Sequence, residues 1–207
     1  MPADKVLVGV LVSGGGTNLQ ALIDYEQAGK LRHGRIALVL SNRTDAHALE
    51  RARLAHIPAI GFDGRAMGHD ALEDSLLNAL GEHRIGLVVL AGYLSILSAR
   101  FVAAFPDRIV NIHPALIPAF SGRGYYGLKV HEAALSRGVR LTGATVHLVD
   151  AEPDGGRILA QKAVRVAPGD TPESLQRRVM TQAEWPLLPR AVENLCKNIG
   201  KGTPHVR

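Results

Sequence analysis

VLVGVLVSGGGTNLQ, residues 6–20, is the stretch that decides the fold. Its first seven residues form an unbroken apolar run of strand length, which is typical of a β-strand buried on both faces. Three glycines follow, and from Thr17 onward the apolar residues recur at helical spacing. A buried strand, a glycine turn and a helix in this order predict the first unit of a parallel α/β sheet.

The same alternation continues along the chain. Amphipathic segments that predict helices separate further apolar runs, which predict strands at residues 36–40, 57–62, 87–91 and 109–113. Alternating strands and helices indicate an α/β class, with a mostly parallel twisted sheet flanked by helices.

The second half has a different rhythm. LTGATVHLVD and RILAQKAVRV alternate as strands on either side of the tight connection AEPDGG, which predicts a C-terminal antiparallel hairpin. Residues 121–126 are rich in glycine and tyrosine and predict a mobile surface loop. Residues 172–192 predict a closing helix, interrupted near Pro186, and the last ten residues are expected to fray.

The composition limits the classes of protein to which the chain can belong. The chain has 207 residues, 46% hydrophobic and 21% charged, with no repeat and no linker, so we expect a single domain over residues 1–207. No signal peptide and no apolar run of membrane-spanning length is present in the sequence. With Cys196 as its one cysteine, the chain excludes an internal disulfide and a cysteine-based zinc cluster, and a cytoplasmic location is predicted.

The charge of the chain favours small anionic ligands. The formal net charge is +5 and the sequence pI is about 9.7, but the basic residues are dispersed rather than grouped. Aromatic residues make up only 4%, too few for the stacking platforms that bind single-stranded nucleic acid. We therefore predict no nucleic-acid partner, and an enzyme whose substrates are anionic.

The glycine turn is a candidate phosphate site. Glycines allow close backbone approach, and free amides at a helix start attract an anion. A dinucleotide fingerprint would place its third glycine at Leu19, where this chain has leucine, and no carboxylate follows the second strand to bind an NAD ribose. Arg43 could still bind the 2′-phosphate of NADP, so that cofactor is not excluded. A plain strand-to-helix turn is the other interpretation. Thr17 and Gln20 have the spacing of a capping box.

Asn111, His113 and Asp154 form the candidate catalytic group. Asn111 and His113 lie two residues apart on a strand and so share a face, just before Pro114 ends the strand. Functional groups collect at the carboxyl ends of parallel strands, and the turn carrying Asp154 could fold over that edge. A nearby carboxylate raises the pKa of an imidazole, which predicts an imidazolium at His113. A buried structural histidine and a turn-forming aspartate are the alternatives.

Six further histidines are expected to be structural. His147 alternates within a strand, and five lie in helices or loops without metal-ligand spacing, namely His33, His47, His56, His69 and His83. We therefore predict no metal site.

The motifs SGGGTNLQAL, NIHPALIPAF, GATVHLVDAEPDGGRILAQ and PGDTPESL together resemble the phosphoribosylglycinamide formyltransferases of purine biosynthesis. The resemblance runs in order from about Val6 to Pro189. It implies a Rossmann-like formyltransferase fold, with a phosphate-binding half at residues 1–105, an active-site and cofactor half at 106–195 and a tail at 196–207.

The resemblance also implies the ligands and their residues. The co-substrate would be 10-formyltetrahydrofolate, the acceptor 5-phosphoribosylglycinamide, and a homodimer is left open. Gly16, Thr17 and Asn18 would bind the substrate phosphate, and Glu184 its ribose. Asn111 would contact the cofactor, His113 would be the catalytic acid and Asp154 would set its protonation. The other cofactor contacts would be Arg65, Leu94, Ser95, Ile96 and Leu97.

Two positions depart from the pattern of this family. Ser95 stands where the family usually has an arginine, and Ser121 stands where the loop usually has a proline. The resemblance therefore implies an altered cofactor contact and altered loop closure, but the same reaction.

The implied function is transfer of a formyl group from the folate to the glycyl amine of the ribonucleotide. Formyltetrahydrofolate hydrolase resembles this core but carries an extra N-terminal domain, and methionyl-tRNA formyltransferase needs a C-terminal nucleic-acid-binding domain for which we expect no room. A non-catalytic nucleotide-binding module is the alternative from another class.

Overall fold

Seven strands form one sheet in the computed structural model, which describes residues 5–201. The strands are β1 (Val6–Val12), β2 (Gly34–Ser41), β3 (Ala59–Gly61), β4 (Leu87–Leu90), β5 (Ile109–His113), β6 (Leu141–Leu148) and β7 (Ile158–Arg165). Their order is β3-β2-β1-β4-β5-β6-β7. β1 to β5 pair in parallel, while β6 and β7 are antiparallel to their neighbours, which confirms the predicted mixed sheet and C-terminal hairpin.

Helices connect the parallel strands and cover both faces of the sheet. They are α1 (Thr17–Gln27), α2 (His47–Leu54), α3 (Gly64–Met67), α4 (His69–Glu82), α5 (Ala99–Ala104), α6 (Leu128–Arg137), α7 (Pro172–Val179), a π-helical turn (Met180–Glu184) and α8 (Trp185–Gly200). Within residues 5–201, none of these helices is long and apolar enough to cross a lipid bilayer.

Two apolar layers pack on opposite faces of the sheet. One contains Leu19, Leu22 and Ile23 of α1 together with apolar residues of α8, and the other contains Leu76 of α4 and Phe101 of α5. β1 and β4 lie at the centre of the sheet, where the strand order reverses. The carboxyl ends of strands at such a reversal diverge and leave a crevice for a ligand.

The turn between β1 and α1 differs from the prediction. The predicted capping box at Thr17 and Gln20 was wrong, because the helix is capped by Gly16 without any side-chain bond. Gly16 has a φ of 72°, and a Cβ there would lie 2.6 Å from the Cβ of Ala48. A left-handed turn pressed against α2 requires glycine at this position.

The C-terminal helical region also differs. Its interruption comes at the π-helical turn (Met180–Glu184), before Pro186, and α8 then continues to Gly200. The expectation that residues 198–200 fray was therefore wrong, because apolar residues such as Leu195 hold α8 against the core. The remainder of the predicted tail, residues 202–207, lies outside the described residues.

Candidate active site

The carboxyl end of β5 presents Asn111 and His113 on one face of the sheet. β5 is held on one side by β4 and on the other by β6, so both side chains have fixed positions. His113 is 4% exposed, the last residue of its strand and followed by Pro114, which cannot donate to a sheet ladder. The strand therefore places a buried imidazole at the carboxyl end of the parallel strands.

Both ring nitrogens of His113 face oxygen atoms. Nε2 lies 2.8 Å from the carbonyl oxygen of Phe120, and Nδ1 lies 3.4 Å from Oδ2 of Asp154. Burial lowers the pKa of His113 below its ordinary value and outweighs the opposing effects of Asp154 and the Phe120 carbonyl. The expectation of a raised pKa at His113 was thus wrong, because it omitted desolvation. The carboxylate still raises the pKa of His113, but by less than burial lowers it.

Asp154 lies in the turn between β6 and β7, in the left-handed conformation with a φ of 58°. Gly156 in the same turn approaches the carbonyl of Leu148 so closely that a Cβ would lie 1.9 Å from that oxygen. The Gly122 N–H donates to Oδ2 of Asp154 at 2.8 Å. Burial acts to raise the pKa of Asp154, but the bond from His147, the charge of His113 and this N–H together lower it. The carboxyl group is therefore ionised near neutral pH.

His147 completes the cluster, and the sequence reasoning missed it. It pairs with Asn111 across β5 and β6, and the Asn111 amide lies 3.1 Å from its Nε2. Nδ1 of His147 lies 2.8 Å from the carbonyl of Leu148, so it carries the proton that donates to that oxygen. Nε2 of His147 also lies 3.5 Å from Oδ1 of Asp154, so this nitrogen faces both the Asn111 amide and the carboxylate.

A cavity of about 500 Å³ opens beside this cluster. Its wall includes the predicted cofactor segment, of which Leu94 is 65% exposed, Ile96 is 55% exposed and Leu97 is buried. The Leu94 N–H donates to the hydroxyl of Ser13, which ties this segment to the end of β1. Exposed apolar side chains beside a polar cluster form a surface suited to a flat heterocycle such as a pterin.

Ser95 is held by a hydrogen bond from the side-chain amide of Asn42 at 2.8 Å. Where an arginine would reach into the cavity, this chain therefore has a short side chain fixed to the end of β2. Arg65, in contrast, is an exposed residue of α3 and is not among the described residues that line the cavity. The structure brings Ser95 to the site but leaves Arg65 outside it.

The predicted phosphate residues do not share one surface. Asn18 lines the cavity and Thr17 lines a neighbouring groove with Arg51, whereas Gly16 is not among the described residues that line either. Arg51 donates to the carbonyl of Gly15 at 2.8 Å and so holds the glycine turn against α2. The free amides at the start of α1 and this guanidinium give the turn a positive potential that suits an anion.

Glu184 joins Asn18 inside the cavity. Nδ2 of Asn18 donates to Oε2 of Glu184 at 2.7 Å, although the two residues are 166 positions apart in the chain. Glu184 is the last residue of the π-helical turn, a wider turn that shifts the residues after it around the helix axis. Burial raises the pKa of Glu184 to about 7, against the effect of the Asn18 bond.

The Glu184→Gln variant should lose part of the pH dependence of stability. Because the folded pKa exceeds the ordinary 4.5, stability from the protonated carboxyl is present below 4.5 and is lost as pH rises through about 7. A shift of this size corresponds to about 3 kcal/mol, and glutamine does not titrate. Urea unfolding should therefore show the variant gaining on wild type by about 3 kcal/mol between pH 4.5 and 8. Parallel pH curves for the two proteins would contradict the assignment.

Among the described residues, no group of three or more His, Cys, Asp or Glu side chains is arranged to hold a metal ion. The glycine- and tyrosine-rich loop lies over the cavity, and Gly122, Tyr125 and Tyr126 contribute to its wall. His131 of α6 also lines it, a residue that sequence reasoning did not select.

Comparison with known proteins identifies the family of this site. A model of the formyl transferase family matches residues 6–192. The chain is 43% identical over 190 residues, 91% of its length, to "Phosphoribosylglycinamide formyltransferase, chloroplastic" of Arabidopsis thaliana. It is 40% identical over 186 residues, 86% of its length, to the phosphoribosylglycinamide formyltransferase of Escherichia coli. It spans 64% of the plant protein and 83% of the bacterial one.

Solved structures indicate the same family. The crystal structure of glycinamide ribonucleotide transformylase 1 from Symbiobacterium toebii has a TM-score of 0.87 and 42% identity, covering 94% of this chain and 89% of that one. This likeness confirms the predicted formyltransferase fold. From the first strand to α8, the chain belongs to the formyl transferase family.

Proposed function

We propose that this protein transfers the formyl group of 10-formyltetrahydrofolate to the glycyl amine of 5-phosphoribosylglycinamide, a step of purine biosynthesis. The observation that carries the proposal is the approach of Asp154 to His113, 3.4 Å between carboxylate and imidazole, beside the amide of Asn111. The names of the relatives at about 40% identity support the same reaction.

Asn111 and His113 would act on the oxygen of the transferred group. When the amine attacks the formyl carbon, a bond forms between them and the carbonyl electrons move to the oxygen, giving a tetrahedral oxyanion. The Asn111 amide has one N–H directed at His147 and a second available to this oxygen. Because the strand end holds the amide in place, it need not reorganise as the charge develops.

Asp154 would control when His113 becomes charged. In its buried position the ring is neutral, and its two nitrogens face the Phe120 carbonyl and the Asp154 carboxylate. As the new C–N bond forms, the attacking nitrogen becomes positively charged and would give a proton to the ring, whose protonation the nearby oxyanion favours. The imidazolium then stabilises the oxyanion and holds the proton that the departing folate nitrogen needs as the intermediate collapses.

The two substrates would bind to different parts of the cavity wall. The segment containing Leu94, Ser95, Ile96 and Leu97 would pack against the pterin of the folate, which fits its exposed apolar side chains. The turn of Gly16, Thr17 and Asn18 would bind the phosphate, and Glu184 would accept hydrogen bonds from the ribose hydroxyls. The reacting groups then meet at His113.

The Asn18→Ala variant should weaken ribonucleotide binding by about 10- to 100-fold, because it removes a cavity-lining amide and unties Glu184. Binding of the folate should change by less than about twofold, because the segment proposed to contact it, residues 94–97, does not include Asn18. Isothermal titration with each substrate measures both constants. A larger loss for the folate than for the ribonucleotide would contradict the assignment of this end.

A coupled absorbance assay with the ribonucleotide and the folate donor tests the function. The proposal predicts that tetrahydrofolate appears only when both substrates are present. Formyl release without any acceptor would instead identify a hydrolase, and ribonucleotide binding without turnover would identify a non-catalytic module.

The setting proposed for this reaction is the cytoplasm, as the use of a single cysteine predicts, although the plant relative's name says chloroplastic. The proposed partners are small molecules.

A further inference from the structure

His131 occupies an unusual position for a polar side chain. It lies in the first half of α6 and is 0% exposed, yet neither ring nitrogen has a hydrogen-bond partner among residues 5–201. A buried polar group without a partner destabilises a fold, so each one calls for an explanation, and a ligand that pairs with it is one such explanation. The imidazole therefore requires an explanation beyond packing.

The surroundings of His131 connect the two ends of the ribonucleotide site. It lines the same cavity as His113, and the two rings are close enough that a charge on His113 lowers the pKa of His131. α6 also packs against α7, whose Gln176 lines the cavity and which leads directly into the π-helical turn ending at Glu184. The wall of one cavity therefore contains His131 together with Glu184 and His113.

The protonation state of His131 limits what it can bind. Burial lowers the pKa of His131 to about 4, so the ring is neutral near pH 7, with one N–H donor and one acceptor nitrogen. A neutral ring provides no charge for a phosphate. It suits a group that both donates and accepts hydrogen bonds, such as an amine or an amide.

We propose that His131 binds the glycinamide arm of the ribonucleotide and holds its amine beside His113. This inference rests on the proposed function, since that function supplies the ligand. The acceptor nitrogen of the ring would take a hydrogen bond from the amine in its neutral form, leaving the lone pair free to attack. As a base with so low a pKa, the ring would orient the amine without removing its proton.

The His131→Leu variant separates a ligand-binding role from a structural one. Leucine fills a similar volume without leaving polar atoms unpaired, so we expect a Tm equal to that of wild type or a few degrees higher. The KM for the ribonucleotide should rise about 10- to 100-fold, while the KM for the folate stays within about twofold. His131→Gln, which retains a donor and an acceptor, should recover part of the loss.

Thr142→Val provides the matched control. The hydroxyl of Thr142 in β6 is likewise buried without a partner, but Thr142 is not among the described residues that line the cavity. This variant should keep or raise the Tm and leave both KM values unchanged. Isothermal titration of each variant with phosphoribosylglycinamide alone measures binding apart from turnover.

Three results would overturn the inference while leaving the proposed function intact. Each requires that the wild-type enzyme transfers formyl groups. The first is a ribonucleotide KM that is unchanged in His131→Leu, and the second is a folate KM that rises as much as the ribonucleotide KM. The third is a Tm that falls together with the loss of ribonucleotide binding. Absence of turnover in wild type itself would instead contradict the proposed function.

Discussion

The Asp154→Asn variant is expected to lose about 100- to 1000-fold in kcat while retaining its fold, which is the range found when one group that stabilises an oxyanion is removed. The carboxylate lies 3.4 Å from His113 and 3.5 Å from His147. An amide is similar in size but carries no charge, so the imidazolium of His113 would lose the partner that stabilises it. The kcat at saturating concentrations of both substrates measures the effect.

Glu152→Gln is the control for charge removal in the same turn. Glu152 is exposed and also lines the cavity, but its backbone rather than its side chain bonds within the turn, to the Gly155 N–H. The kcat of Glu152→Gln should stay within about twofold of wild type. Circular dichroism should give the same Tm for wild type, Asp154→Asn and Glu152→Gln. If both variants lost activity equally, the specific role of Asp154 would be wrong.

The His113→Ala variant is expected to lose about 1000-fold or more in kcat. It removes both the group that would stabilise the oxyanion and the group that would supply the proton to the departing nitrogen. Both KM values should change little, because the phosphate and pterin ends of the cavity remain. Single-turnover kinetics of formyl transfer measures the chemical step itself.

His33→Ala is the matched histidine control, since His33 is exposed and pairs with Glu193 away from the cavity. Its single-turnover rate should equal that of wild type. A near wild-type rate in His113→Ala would contradict the proposed catalytic role. A large rise in either KM with an unchanged rate would show that His113 binds a substrate rather than acting in the transfer.

The sequence predicts most of the fold because its local signals agree with the long-range arrangement. The apolar run at β1, the glycine turn after it and the helical spacing of α1 each predict the structure found. The alternation within β6 and β7 and the turn residues between them likewise predict the hairpin. Such agreement between local propensity and tertiary structure is expected in natural sequences.

The site is less predictable than the fold, because the features that the sequence did not predict depend on strand register and on burial. His147 becomes a member only through its pairing with Asn111 across β5 and β6, and strand spacing alone does not give that register. The pKa of His113 depends on how fully the surrounding chain removes water from the ring. The meeting of Asn18 with Glu184 depends on a π-helical turn, for which no sequence pattern was available.

The most direct test of the central claim is the kcat of the double variant His113→Ala/Asp154→Asn. If the carboxylate acts through the imidazole, removing both groups costs no more than removing His113 alone, because Asp154 has nothing left to act on. We predict a double-variant rate within a few-fold of the His113→Ala rate. A loss equal to the product of the two single losses would show that the two residues act independently, and would contradict the mechanism.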